Sequence, residues 1–314
     1  MTLLRRDRYH PDMRCLLIAG VVAFSCTAFP GSALGAQPVP ARELWEFPLG
    51  ALFEPAALAI EPGAGFWNPA TPGLRGAERL RVGIASLSAG AAQGVDGQLI
   101  GAQWRRSSGT SWSATIARTS VPGLIRTDSD PQSVGEIPYS SMLLSLGAAR
   151  TLLPHVTVGA AARLRIGQSD QLTRTAVAAD FGVVLHDLPF RDARIAASSF
   201  LWRPGRELED RPSVLFAADA RVAGSERTHE IRAGYAHQAV NRGARESGPF
   251  ASVRVDRVEG RVSYLRTGAG SSTAGRLRSG LAVHYARYVV GLAREEGIVG
   301  LGPVYQFTLS TSLK

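Results

Sequence analysis

His155–Gly167 reads HVTVGAAARLRIG, and its alternation decides the fold. Val156, Val158, Ala160, Ala162, Leu164 and Ile166 fall on one parity, and Thr157, Gly159, Ala161, Arg163 and Arg165 on the other. A β-strand points successive side chains to opposite faces. The stretch therefore predicts a strand with one greasy face and one small or cationic face. A soluble sandwich would turn the polar face to water. A membrane barrel would turn the greasy face to lipid and the polar face to its lumen.

The pattern recurs along the chain. Arg79–Ile84 opens the series, and Gln98–Arg106 and Thr110–Thr119 form a hairpin around Ser107-Ser108-Gly109. Tyr139–Leu152 pairs with Val156–Gln168 across Leu153-Pro154. Leu172–Leu185 pairs with Ala193–Trp202 across Asp187-Leu188-Pro189. Ser213–Val222 pairs with His229–Ala239 across Gly224-Ser225-Glu226, and Phe250–Val258 with Arg261–Thr267 across Glu259-Gly260. Arg276–Ala286, Val289–Glu296 and Val304–Leu313 complete the set. The count is about 14 strands, each near the ~9–11 residues of a tilted membrane-crossing strand, and an even number suits a bacterial single-chain barrel. Longer polar connections are expected at Pro122–Glu136, Arg203–Arg211, Asn241–Gly248 and Gly268–Gly275. Tight turns alternating with longer loops suit a barrel with short periplasmic turns.

The last segment, VYQFTLSTSL, puts Tyr305, Phe307, Leu309, Thr311 and Leu313 on one face. Gly302, Tyr305 and Phe307 resemble the core of the C-terminal signal read by barrel assembly machinery. Tyr139, Phe181, Phe200, Trp202, Phe216, Tyr235, Phe250, Tyr264, Tyr285, Tyr288 and Tyr305 come at roughly one per strand; some, such as Trp202 and Phe250, fall near strand ends as interfacial girdles require, and others fall mid-strand.

The N-terminal region obeys other rules. Arg5, Arg6, Arg8 and Arg14 precede an apolar run, Cys15–Phe29, and the small residues Pro30–Ala36, so residues 1–36 read as a cleaved signal peptide. Both cysteines, Cys15 and Cys26, fall inside it, leaving the exported chain no disulfide, thiolate nucleophile or cysteine metal site. The net charge of +9 comes almost entirely from scattered arginines, with Lys314 the only lysine. No basic block forms, which excludes a nucleic-acid tail. From Ala41 to Ile60 apolar residues cluster without alternation between Pro48 and Pro55. Glu61–Leu74, EPGAGFWNPATPGL, then places Phe66-Trp67 before an Asn68-Pro69-Ala70 turn, since Asn before Pro favours turn initiation. A hatch over residues 37–78 is expected to precede a barrel over 79–314. Trp45, Phe47 and Phe53 are candidates to line a ligand site on that hatch.

Catalytic chemistry is not predicted. His155, His186, His229, His237 and His284 lack metal-ligand spacing; His229 and His237, eight apart on a strand, share a face at about 26 Å. No metal, cofactor or nucleophile elbow is expected, and an outer-membrane hydrolase ranks a distant third among functions. Arg163, Arg165, Arg232, Arg254 and Asp256 are candidate lumen charges, because Arg facing lipid at the bilayer midplane costs ~2–4 kcal/mol.

Phe66-Trp67-Asn68-Pro69-Ala70, preceded by Ala56–Ile60, resembles a stretch of PorV/PorQ-like outer-membrane proteins, themselves similar to FadL-type hydrophobic-compound transporters. Gly280–Tyr285, Gly291-Leu292-Ala293 and Tyr305–Leu313 are similar to the family's C-terminus. Thr71-Pro72 interrupts the family pattern, in which Gly-Leu follows the Ala directly, and Glu54-Pro55 replaces a small Gly-rich segment. The resemblance implies a 14-stranded barrel with a plugged lumen in the outer membrane. The function it implies is a channel for hydrophobic small molecules; the alternative is a PorV-like structural or secretion-associated barrel without transport. Expected partners are outer-membrane lipid, barrel assembly machinery and either a hydrophobic small molecule or a secreted protein.

Overall fold

A computed structural model describes residues 38–74, 80–90, 94–106, 109–127, 133–203, 212–225, 229–239, 245–269, 272–296 and 302–313. The expected signal peptide and the junction at residues 75–79 lie outside them.

Fourteen strands close into one antiparallel barrel. They are β1 (Leu80–Ala89), β2 (Asp96–Arg105), β3 (Thr110–Ser120), β6 (Tyr139–Leu153), β7 (Val156–Ser169), β8 (Leu172–Leu188), β9 (Ala193–Phe200), β10 (Ser213–Ser225), β11 (His229–Ala239), β12 (Arg245–Val255), β13 (Val258–Ala269), β14 (Ser272–Tyr285), β15 (Tyr288–Glu295) and β16 (Val304–Leu313). β1 joins β16 from Leu80↔Leu313 to Ala89↔Val304, so no open edge remains. Closure is what a sheet needs in hydrocarbon, where no water can satisfy an unpaired N–H or C=O.

Several boundaries differ from the sequence reading. The connection expected over Pro122–Glu136 contains a small hairpin, β4 (Ile125–Thr127) with β5 (Ser133–Glu136). The turn expected at Glu259-Gly260 falls at Asp256-Arg257, where Asp256 has φ 50°. Asp tolerates that left-handed backbone, and the shift lets Glu259 and Gly260 join the ladder as partners of Arg254 and Val253. β12 to β14 also run further than expected, into both 241–248 and 268–275.

The barrel is polar inside and greasy outside. Ile100, Ile116, Leu146, Val177, Leu281 and Leu292 point outward and are exposed, while Arg163, Asp180, Asp219, Arg232 and Glu295 point inward and are buried. Contiguous exposed apolar surface of this extent marks contact with something other than water, and around a closed barrel that partner is the bilayer. Trp104 opposes Trp112 and Tyr285 opposes Tyr288 at the end holding both barrel termini, as interfacial girdles require. That end also has the two-residue turns Pro154-His155, Asp256-Arg257 and Ala286-Arg287, the periplasmic signature. Phe250, expected at the girdle, is corrected: like Phe200 and Tyr139 it has the inward parity, and Phe200 and Phe250 are buried in the lumen while Tyr139 bonds Glu43 of the plug.

Residues 39–74 fill that lumen with only two short 3-10 turns, Glu43–Glu46 and Thr71–Leu74. Leu44, Trp45, Leu49, Leu52, Leu58, Phe66 and Trp67 are buried against the inner wall. Pro48, Pro55, Pro62, Pro69 and Pro72 rule out a long regular helix or strand, so the plug satisfies its polar groups with turns and wall side chains.

Candidate functional site

The inner wall carries small residues where the plug backbone comes closest. On β7 a side chain at Gly159 would overlap the Pro69 carbonyl, and on β8 one at Gly182 would overlap the Asn68 amide. At these positions glycine is required by close approach, not by φ. Into this track fits the turn expected at Asn68-Pro69-Ala70. Asn68 Oδ1 accepts from Ala70 N at 3.0 Å and Asn68 Nδ2 donates to the Ala57 carbonyl at 2.8 Å. Thr71 Oγ1 donates to the Asn68 carbonyl and accepts from Gly65 N, both at 3.0 Å. Thr71, the departure from the family pattern, thus closes the turn.

Phe66 and Trp67 lie beside this turn in an aromatic cluster. Ring centroids are 5.2 Å apart for Phe66–Trp67, 5.8 Å for Trp45–Phe66, 5.7 Å for Phe66–Phe200 and 4.5 Å for Trp67–Phe200. The Arg163 guanidinium stands 5.0 Å from the Phe66 ring and 4.7 Å from that of Phe200. It pairs with Asp180 and also donates to the Phe66 carbonyl. Both charges are fully buried. Such a pair persists only when its hydrogen bonds are largely met, and here the plug backbone meets one of them.

Asp180 has a second task. The ladder between β8 and β9 pairs Gly182–Leu185 with Ile195–Ser198, shifts register before Leu188↔Ala193, and beyond Gly182 continues only as the isolated Ala179↔Trp202 bridge. Above it, Phe181 N donates to Ser199 Oγ at 3.1 Å and Leu201 N to Asp180 Oδ1 at 2.6 Å. Side chains therefore serve Phe181 N and Leu201 N at this seam, beside one backbone bond from Ala179 N to the Trp202 carbonyl at 2.8 Å, and the plug motif stacks against Phe200 on its lumen side. The sequence reading missed Asp180. Its parity with Ala176 and Ala178 was the available signal.

Of the proposed ligand-lining residues, Trp45 lies in the buried apolar cluster, and Phe47 and Phe53 pack against that cluster. Trp45 is 1% exposed and donates to Ser141 Oγ at 2.8 Å, so it packs against the wall and lines no open space. Phe53 packs on Gly280 with the Arg261 guanidinium 4.9 Å from its ring, and Phe47 is half-buried at the edge of the apolar cluster.

The lumen charges assemble on the other wall. Arg232 pairs with Asp219 at 2.9 Å and with Glu230 at 2.8 Å, and Arg194 also pairs with Asp219. Arg278 bridges Glu246 and Glu295. Arg261 joins Glu259 at 2.7 Å to Glu54 of the plug at 3.1 Å. Arg165 is buried on β7 beside Arg163 in sequence. Asp256 is the correction here: it sits in an exposed turn, outside the lumen, because β12 ends at Val255. Arg254 points inward and makes no hydrogen bond or ion pair among the described residues. It lines a cavity of about 530 Å³ with Arg81, Arg194, Glu230, Glu259 and His284. Glu54, Ile60 and Leu74 of the plug close its inner end.

One row resembles a hydrolytic triad. Thr157 Oγ1 lies 3.1 Å from His186 Nε2, and His186 Nδ1 lies 2.8 Å from Asp187 Oδ2. Thr157 is wholly buried, with its methyl against Gly73 of the plug, so no substrate carbonyl can reach its hydroxyl. The row anchors the plug's last turn to β7 and β8. Among the described residues no cluster of three His, Asp or Glu side chains could hold a metal ion.

A closed, inside-out barrel of 14 strands with its own N-terminal segment in the lumen is the architecture of an outer-membrane β-barrel protein. No described protein family matches the chain, and no curated protein does. Solved structures do. CymD, a monoaromatic hydrocarbon channel, matches with a TM-score of 0.56 at 10% identity, over 82% of this chain and 94% of its own. TodX, the Pseudomonas putida toluene transporter, matches with a TM-score of 0.55 at 11% identity, over 88% of this chain and 98% of its own. At such identities the likeness is one of fold.

Proposed function

We propose that this protein is an outer-membrane channel for hydrophobic small molecules, held closed by its plug. The observation that carries the reading is the aromatic and apolar plug, Leu44 to Trp67, seated in a 14-stranded lumen. A pore for ions or sugars would keep a water-filled lumen. Here an apolar plug occupies the lumen, and the polar cavity lies at the end that holds both barrel termini. The fold shared with CymD and TodX supports the same class of cargo. The reading includes export by a signal over residues 1–36, a hatch over 37–78 and a barrel over 79–314 inserted into outer-membrane lipid by the assembly machinery. It assigns no catalysis, metal or cofactor.

Deleting residues 39–67 tests it. Liposomes holding the truncated barrel should take up toluene or p-cymene faster than liposomes holding the full chain. Unchanged uptake, with the barrel still heat-modifiable on gels, would overturn the channel reading. A second reading, a PorV-like barrel that binds a secreted protein and transports nothing, is favoured by one observation: the buried Arg163–Asp180 pair ties the plug to the wall. Recovery of a secreted protein on the intact barrel, together with unchanged uptake, would select it.

A further inference from the structure

The bilayer-facing wall is not uniform. Over β12 to β16 it is indented by an apolar groove of about 570 Å³, lined by Ala251, Val253, Gly260, Val262, Leu281 and Leu292, with Tyr305 and Arg294 at its rim. The size is that of a ligand site, typically ~300–1,000 Å³. Gly260 makes the depression, between Val253 and Leu281 as its cross-strand neighbours. A Cβ there would meet only Leu281, at 3.6 Å. Neither backbone nor packing therefore demands glycine at this position, unlike Gly159 and Gly182.

Above the groove, near the strand ends remote from the barrel termini, Arg245 and Arg266 share the outward face, while Arg294, level with Ser279 and Val262 across the ladder, stands at the groove itself. Arg294 is half-exposed, leans over the Tyr305 ring at 5.8 Å and touches Glu296 at 3.0 Å. That exposed pair holds it weakly. Arg245 and Arg266 are exposed and make no hydrogen bond or ion pair among the described residues. Arg245 is the ladder partner of Gly268, which places it diagonally from Arg266, a separation of ~7–8 Å. Adjacent like charges without a counter-ion repel, and at a membrane surface phosphate is the group that relieves this. The remote end carries the two longest connections, between β3 and β6 and between β9 and β10, and so faces the outer leaflet.

We infer that this face is a binding site for a phosphorylated glycolipid of the outer leaflet, with one acyl chain in the Gly260 groove and phosphate on Arg245 and Arg266. The inference is independent of transport and needs only the membrane barrel. Native mass spectrometry of the detergent-solubilised full chain, incubated with bisphosphorylated lipid A, tests it. The wild type should retain lipid A, and should retain dephosphorylated lipid A about tenfold less, the loss expected when charge-assisted hydrogen bonds are removed. Gly260→Leu fills the groove and Arg245→Gln with Arg266→Gln removes the charge, and each should also lower retention about tenfold. Heat-modifiable mobility reports that each variant is folded. The inference is overturned if folded variants retain lipid A like the wild type, if phosphate makes no difference, or if phosphatidylglycerol is retained better than lipid A.

Discussion

The two walls of this lumen solve different problems. The wall from β1 to β9 carries small inward residues where the plug backbone comes closest, among them Gly83, Gly101, Gly159 and Gly182, and it receives the plug by shape. The wall from β10 to β15 carries Asp219, Glu230, Arg232, Glu246, Glu259, Arg261, Arg278 and Glu295, and it is held by charge. Shape complementarity fixes a segment without regular secondary structure, because each contact excludes every other register. A ladder of ion pairs stiffens a wall but leaves room for water and a polar cavity. Buried charges break the division inside the shape-built wall, at Arg81 with Glu61 of the plug, at Arg165 and above all at the fully buried Arg163–Asp180 pair. That pair is also where plug, wall and seam meet.

Perturbing that pair should have the largest effect. Asp180→Ala leaves Arg163 buried and alone and should lower unfolding stability by about 3–5 kcal/mol, read as a shifted urea midpoint in detergent. Replacing both residues, Arg163→Met with Asp180→Leu, should recover much of the loss. If the single and double variants are equally damaged, the seam bonds to Leu201 matter more than the charge.

Next come the glycines. Gly159→Val and Gly182→Val should each cost about 1–3 kcal/mol by overpacking and should loosen the plug. Protease cleavage within residues 39–74 reports undocking. Wild-type resistance in both variants would break the shape argument. Asn68→Ala removes the bonds to Ala57 and Ala70 and should cost about 1–3 kcal/mol, with a smaller rise in cleavage. On the charged wall, Arg221 is partly exposed and its ion pair with Asp192 spans 2.7 Å. Arg221→Gln should therefore change stability by about 1 kcal/mol or less. A loss as large as that of Asp180→Ala would mean that both walls work alike. Arg254→Gln, with no hydrogen bond or ion pair to lose among the described residues, should leave stability unchanged.

Much of this was legible in the sequence. In β7 the split between Val156–Ile166 and Thr157–Arg165 holds residue by residue, and β16 spans the expected Val304–Leu313. The placement of Phe200, Phe250 and Asp256 was not legible. Parity assigns a face only once a strand's ends are known, and a turn shifted by two or three residues moves a residue off the strand. Nor could alternation distinguish Gly159, which receives Pro69, from Gly260, which receives nothing from the protein.

The sequence by itself determined the alternation, and with it the inside-out barrel, because a period of two is a local property of the backbone. It also marked Phe66–Ala70 as the point where that alternation had not yet begun. Only the tertiary structure decided which inward residues meet the plug and which meet each other. Those contacts join positions 97 and 131 residues apart, Phe66 with Arg163 and Trp67 with Ser198. Barrel curvature sets such distances, and no local pattern encodes them.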